Sequence, residues 1–266
     1  MSHPPAEAVT LIESLADYGE RYRLQIGLSA DGDWVAADRL LDPASEELTR
    51  VLEAERLASG QVSAHATALT VMAVYAGTVT APALLAWALY GRVLDVRPPN
   101  VALTLDDHHG FGAVALRRPY LDDTSGMSAG ERLKLLVGQI LDGHLFPLAE
   151  ALRARSRAGR RQLNGGIAQG CAAAFGVASR APGADVDLLE RAYREFLAAC
   201  PAELGSLGEM VRLAEDGRQG LFYLRRTCCL FYTAEHGEKC ASCCLDSTAD
   251  RIANYRRVLS GNPAPH

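Results

Sequence analysis

From Ala66 to Gly91 the chain carries no charged residue. An apolar run of that length either spans a bilayer or forms the buried centre of a fold. Thr67, Thr70, Gly77, Thr78 and Thr80 dilute it and Pro82 interrupts it. No Lys/Arg cluster is placed to set an orientation in a membrane. The run therefore predicts two buried helices meeting at Pro82, the second starting near Ala81 with Leu84, Leu85 and Leu89 toward the core. The rest of the chain has to be built around them.

Other periodicities fill in the frame. Pro4 to Tyr18 reads as a first helix with Val9, Ile12, Leu15 and Ala16 on one face. Tyr22 to Leu28 alternates like a short strand, closed by a turn at Asp31-Gly-Asp33. Pro43 opens a helix carrying Leu48, Val51, Leu52 and Leu57, and Gly60 ends it. Asn100 to Pro119 reads as a β-hairpin, with Val101, Leu103 and Leu105 alternating before the turn and Val114 and Leu116 after it. In its turn, Gly110-x-Gly112-x-x-Ala115 matches a dinucleotide fingerprint, but strand alternation follows where a helix would have to begin. Asp106, Asp107, His108 and His109 are consecutive and cannot all point inward, so they read as a solvated tip; the functional alternative places His108 or His109 at the mouth of a site. Ser128-x-x-Glu131 is a capping box opening a long helix that bends or restarts at Pro147 and ends near Arg157. Arg153, Arg155, Arg157, Arg160 and Arg161 then form the one dense basic patch, either a solvated helix end or a docking face for an acidic partner. The fold class expected is mainly α (α+β), with a small antiparallel β element and a C-terminal lobe. Residues 1–219 form the helical domain and 220–266 the lobe.

The chemistry is concentrated in that lobe. Between Cys228 and Cys244 lie five of the seven cysteines. Cys171 and Cys200 sit in apolar helical settings and read as small buried hydrophobes. A chain of 266 residues can bury a full core without disulfide staples, and no secretory signal pattern is present, so a reducing compartment and a metal are expected. The spacing is Cys228-Cys229, ten intervening residues, then Cys240-x-x-Cys243. Four-cysteine zinc sites use two knuckles, whereas here only the second half is a knuckle. Adjacent side chains such as Cys228 and Cys229 diverge and suit two metals better than one, so a [2Fe–2S] cluster is favoured over zinc. Arg225, Arg226, His236 and Lys239 are the candidate cations near it, where they would offset its charge and raise its potential. His236 as a Rieske-type ligand is set aside because four cysteines are already present.

Cys-Cys-x10-Cys-x2-Cys near the C-terminal end of such a chain resembles the ferric-siderophore reductases of the FhuF-like family. Tyr223-Leu-Arg-Arg-Thr227 and Cys229-Leu-Phe-Tyr232 are also similar to members. The chain departs in two places. Cys244 stands where members often carry proline, which leaves the fourth ligand open between Cys243 and Cys244, and Leu163-Asn-Gly-Gly166 stands where they often carry Trp-Gly-Asn. The resemblance implies a helical palm like that of siderophore synthetases of the IucA/IucC type, a [2Fe–2S] cofactor on Cys228, Cys229, Cys240 and Cys243, and a ferredoxin or flavodoxin-type reductase as electron donor.

Composition bounds the rest. A net charge of −5 gives no basic footprint for nucleic acid, and no flavin, haem or nicotinamide motif or recognisable nucleophile is present. The activity expected is one-electron reduction of a ferric siderophore, hydroxamates favoured, with no catalytic residue beyond the cluster. The expected location is the cytoplasm, with peripheral contact with the inner membrane face left open. Two rival readings are an iron–sulfur redox or iron sensor and a binding protein with a structural four-cysteine zinc lobe.

Overall fold

The computed structural model describes residues 5–106, 110–235 and 237–261. The elements in chain order are α1 (Pro5–Leu15), β1 (Gln25–Ile26), β2 (Trp34–Ala36), α2 (Glu46–Ser59), α3 (Ala64–Val79) and α4 (Ala81–Tyr90), then β3 (Val101–Leu105), β4 (Phe111–Leu116) and α5 (Ala129–Val137). There follow α6 (Phe146–Ser156), α7 (Arg160–Ala178), α8 (Val186–Ala199), the short α9 (Ala202–Gly205), β5 (Gly208–Glu215), β6 (Arg218–Arg225) and α10 (Thr248–Leu259). The architecture is a mixed α+β fold, mostly helical.

The uncharged run forms α3 and α4, joined at Thr80 with Pro82 in the first turn of α4, where its missing N–H costs no hydrogen bond. Both helices are buried around most of their circumference. Together they are long and apolar enough to cross a membrane, as is Ala129–Ser156, but 83% of the first apolar window and 61% of the second is buried inside the fold. Helix α3 packs most closely on α7, and glycine makes the approach possible. A methyl group at Gly170 would lie 2.5 Å from both the Ala76 Cβ and the Gly77 backbone nitrogen, and one at Gly166 3.1 Å from the Ala73 nitrogen. Small residues here let two backbones come together where side chains would hold them apart.

Caps fix the other helices. Ser45, Ser63 and Asp185 accept from the backbone N–H groups of Leu48, Ala66 and Leu188, and Ser128 with Glu131 forms the full capping box. Between α5 and α6 the chain winds as a π-helix over Gly138–Leu145, just ahead of Pro147, whose ring forbids a regular α-helical bond. Its i→i+5 winding brings Gln139 and His144 to the same neighbouring segment. Gln139 Nε2 donates to the Leu94 carbonyl at 2.8 Å, and His144 Nδ1 donates to the Val96 carbonyl at 2.9 Å. Tyr75 Oη completes the buried chain by donating to His144 Nε2 at 2.6 Å.

The larger sheet has the order β1-β4-β3-β2, with β1 parallel to β4 and the other pairs antiparallel. The hairpin expected over 100–119 is β3–β4; its tip at Asp107, His108 and His109 lies outside the described residues. Strand β4 follows Gly110 directly, so the glycine fingerprint faces no helix N-terminus. Several expectations need correction. Only Gln25–Ile26 of the first predicted strand pairs, and Trp34–Ala36 pairs in its place beyond the turn. The buried face of α1 is Ala8, Leu11, Ile12 and Leu15, one step round from Val9 and Ala16, and Leu57 of α2 faces solvent.

A second hairpin, β5–β6, has no counterpart among the expected elements. It turns at Asp216-Gly217, both at positive φ, as a two-residue hairpin loop of this twist requires. Strand β6 is buried on both faces. Leu221 and Tyr223 join the main core, while Phe222 and Leu224 pack with Tyr255 and Leu259 of α10. Phe222 is stacked between the Tyr255 ring, 4.6 Å away, and the Arg180 guanidinium, 4.8 Å away. This hairpin straddles residues 219 and 220 and carries the chain to the cysteines.

Candidate metal centre

Strand β6 ends at Arg225, and the chain then leaves the sheet for the cysteines. Arg225 is 5% exposed, and its Nε donates to the Thr227 carbonyl at 2.7 Å, folding the side chain back over the segment that follows. The Arg225 carbonyl in turn accepts from Arg251 Nη1 of α10 at 2.7 Å, and the Tyr223 carbonyl accepts from Tyr255 Oη at 2.7 Å. The guanidinium is thereby fixed beside the cysteines. Burial opposes its charge, but the sulfurs of Cys229, Cys240, Cys244 and Cys228 outweigh burial and hold its pKa above the ordinary arginine value.

Cys228 and Cys229 stand on a tight reversal made by Leu230, whose φ of 59° places it in the left-handed region. That conformation costs a non-glycine residue about 1–2 kcal/mol. It also turns successive backbone N–H groups toward the sulfurs. Leu230 N–H donates to Cys228 Sγ at 3.3 Å, and Phe231 N–H serves Cys229. Such a concave row of N–H groups is an anion nest of the kind found at iron–sulfur sites. The loop is held from outside by the α2–α3 turn. The buried Gln61 donates to the Leu230 and Phe231 carbonyls at 3.4 and 3.5 Å, and Glu235 N–H donates to the Gly60 carbonyl at 2.8 Å.

The other cysteines sit on the turn leading into α10. Cys243 N–H donates to the Cys240 carbonyl at 2.8 Å, and Asp246 N–H to the Cys243 carbonyl at 3.1 Å. Lys239 is tied across this turn to Asp246 at 2.7 Å. Ser242 Oγ lies 3.6 Å from Cys240 Sγ. Ser247 then caps α10 by accepting from Asp250 N–H at 3.1 Å.

Together these pieces form a small, half-open cavity of about 10 Å³ whose wall includes Cys228, Cys229, Cys240, Cys243 and Cys244, with Arg225, Thr227, Phe231, Tyr232 and Lys239. All five cysteines are free thiols. Cys229 and Cys240 are hydrogen-bonded to each other; that bond, with Arg225 and the Phe231 N–H, pulls the Cys229 thiol well below its usual range, while the same bond and burial push Cys240 up. Burial raises the Cys228 thiol. Among the described residues no three His, Cys, Asp or Glu side chains close on a position that would hold a single metal ion. The five cysteines share the wall of one small cavity.

Of the expected cations, Arg225 and Lys239 line this cavity. Arg226 is exposed and turns to the Ser206 carbonyl and Glu209 instead. His236 lies outside the described residues. The basic patch is partly engaged, Arg153 and Arg160 with Glu150 of α6, and Arg155 with Thr49 of α2 and the Pro43 carbonyl ahead of it. Cys171 and Cys200 are buried far along the chain from the site, their thiols pushed up by burial to about 12. Sequence reasoning missed Thr227, Leu230, Gln61, Ser242 and Arg251. Thr227 and Leu230 lie inside the two quoted segments, where sequence gives them no separate role, and Gln61 directly follows the helix-ending Gly60.

A family model described as "Ferric iron reductase FhuF-like transporter" matches residues 70–221, more than half of the chain, from α3 into β6. A second, described as "FhuF 2Fe-2S C-terminal domain", matches residues 225–245, from Arg225 through all five clustered cysteines. The chain belongs to the FhuF-like ferric iron reductase family. No curated protein matches it. The FhuF-like chain's cavity fits a bound iron–sulfur group on its own chemistry. It offers more than four thiols, an N–H nest at Leu230 and Phe231, and a buried cation. It also offers Thr227 Oγ1, a buried hydroxyl that has no hydrogen-bond partner.

Proposed function

We propose that this protein reduces chelated Fe(III) to Fe(II) by one electron, releasing iron from a ferric siderophore. A [2Fe–2S] cluster held by Cys228, Cys229, Cys240 and a fourth thiol from Cys243 or Cys244 would supply the electron. The observation that carries this reading is the set of five thiols lining one cavity with Arg225, in the segment matching the FhuF 2Fe-2S domain.

The protein's own residues account for the remaining needs. Four thiolates bring negative charge into a half-buried site, and Arg225 supplies a fixed cation there, with Lys239 at the rim. Leu230 and Phe231 direct N–H groups at the sulfurs, which favours the more negative, reduced state. Cys228, Cys229, Cys240 and Cys244 are only half-buried, and Tyr232 beside them is exposed. The site therefore lies close enough to the surface to exchange electrons with a docked partner. Fe(III) binds hard oxygen donors tightly, and reduction to the softer Fe(II) weakens that hold, so no proton-transfer residue is required of the protein.

The substrate class is a ferric chelate, hydroxamates favoured, and the donor a ferredoxin or flavodoxin-type reductase. The site of action is the cytoplasm, with peripheral contact with the inner membrane face as a variant of it. The test is anaerobic mixing of reduced protein with a ferric hydroxamate and a ferrous trap. Ferrous complex forming above the protein-free control supports the reading; none forming counts against it for that chelate.

A further inference from the structure

Five thiols line a cavity where a [2Fe–2S] cluster has four protein positions. One thiol is therefore left over, against the cluster. The surplus lies in the second half of the site, because the first half offers two thiols, Cys228 and Cys229, and the second offers three, Cys240, Cys243 and Cys244. Adjacent side chains diverge from an extended backbone, yet Cys243 and Cys244 both reach the same wall. The cause is local: the chain from Cys240 to Asp246 is curled by the bonds from Cys243 N–H to Cys240 and from Asp246 N–H to Cys243. Of the two, Cys244 is within the electrostatic reach of Arg225, and Cys243 is the more buried, at 5% exposure.

We infer that Cys243 and Cys244 are interchangeable as the fourth ligand, and that the spare thiol retains the cluster against chelators. The inference rests on the reading above, that this cavity holds the cluster. Exchange is a thiol-for-thiolate substitution: the incoming thiol gives its proton to the departing thiolate, one sulfur–iron bond forms as the other breaks, and no electron moves. The need for it follows from the proposed reaction, which frees a strong Fe(III) chelator beside the protein's own iron. A second thiol tethered at the same cavity acts at an effective concentration on the order of millimolar, so an iron that loses one ligand is recaptured before the chelator completes its attack.

The test uses the full-length protein reconstituted anaerobically as wild type, Cys243→Ala, Cys244→Ala and the double variant. Visible absorption, iron and sulfide content, and the rate of bleaching by excess tris-hydroxamate chelator are measured. Both single variants are expected to keep the wild-type iron content and to bleach several-fold faster than wild type, and the double variant to lose the cluster. Loss of the cluster in one single variant, with the other unchanged in content and bleaching rate, overturns the inference. So does wild-type bleaching in both. If an alanine variant fails to fold, alkylation of the wild-type holoprotein decides the same point. Label divided between Cys243 and Cys244 supports interchange, and label on one of them alone contradicts it. A wild-type protein that binds no iron refutes the proposed function itself, which is a separate result.

Discussion

Arg251 Nη1 on α10 donates a 2.7 Å hydrogen bond to the carbonyl of Arg225, the last residue of β6. The helix that follows the cysteines thus closes on the strand that precedes them. Tyr255 repeats the closure one turn further along, at the Tyr223 carbonyl. The loop carrying all five thiols is an excursion between two clamped ends, and its geometry is inherited from the packing of α10 on β6.

Arg251→Ala should therefore act on both stability and the site. Arg251 is 7% exposed, and its removal leaves the buried Arg225 carbonyl without this donor, at a cost of about 1–3 kcal/mol. Chemical denaturation should show a lower midpoint. The reconstituted variant should lose iron faster than wild type under a ferrous chelator.

Removing the buried cation should alter the redox potential. Arg225→Gln keeps a polar side chain and deletes the charge that sits among four sulfurs. The midpoint potential, followed by EPR during a reductive titration, should move to a more negative value, and Arg225→Lys should move it less. An unchanged potential in Arg225→Gln would remove the residue from this role.

Glycines at two helical positions should respond in opposite directions to a single methyl group. Gly170→Ala would force a carbon within 2.5 Å of Ala76 and Gly77, and should destabilise by about 1–3 kcal/mol through separation of α3 from α7. Gly130, on α5, has open space where its Cβ would go, so Gly130→Ala should leave the melting temperature unchanged or raise it, by up to about 1 kcal/mol of stability. Parallel thermal melts compare the two.

His144 gives the protein an acid-sensitive core. Burial lowers its pKa from 6.5 to about 4, against the opposing bond to Val96. The unfolded chain therefore binds a proton between those values that the folded chain does not. This contribution is present above pH 6.5, is lost as pH falls toward 4, and changes no further below that; it amounts to roughly 3 kcal/mol. Unfolding free energies measured across that window should show the slope in wild type, and His144→Gln should flatten it.

Local signals made much of this legible in the sequence. The uncharged run, Pro82 and the Ser128 capping box placed their helices because each acts within a turn of itself. The β5–β6 hairpin did carry a signal, Asp216-Gly217 between two strand-like runs. Val211 and Leu213 alternate there with the exposed Arg212 and Ala214, and they pack on the cluster of Phe222, Leu224, Tyr255 and Leu259. Other features depend on partners distant in sequence. Nothing around Leu230 announces a left-handed residue, since its conformation is imposed by the thiol loop docking on Gln61. Arg225 and Arg226 are alike in sequence, but Arg225 is the last residue of the doubly buried β6 and Arg226 stands one past its end, so one lies beside the sulfurs and the other faces Glu209. The pair Gly166 and Gly170 likewise gains its meaning only opposite Ala73 and Ala76.

The most direct measurement is an anaerobic absorption and EPR spectrum of the purified protein, with iron and acid-labile sulfide analysis on the same sample. A coloured protein with about two iron and about two sulfide per chain, and an EPR signal appearing on one-electron reduction, is the result this account predicts. A colourless protein that holds zinc and no sulfide would contradict it.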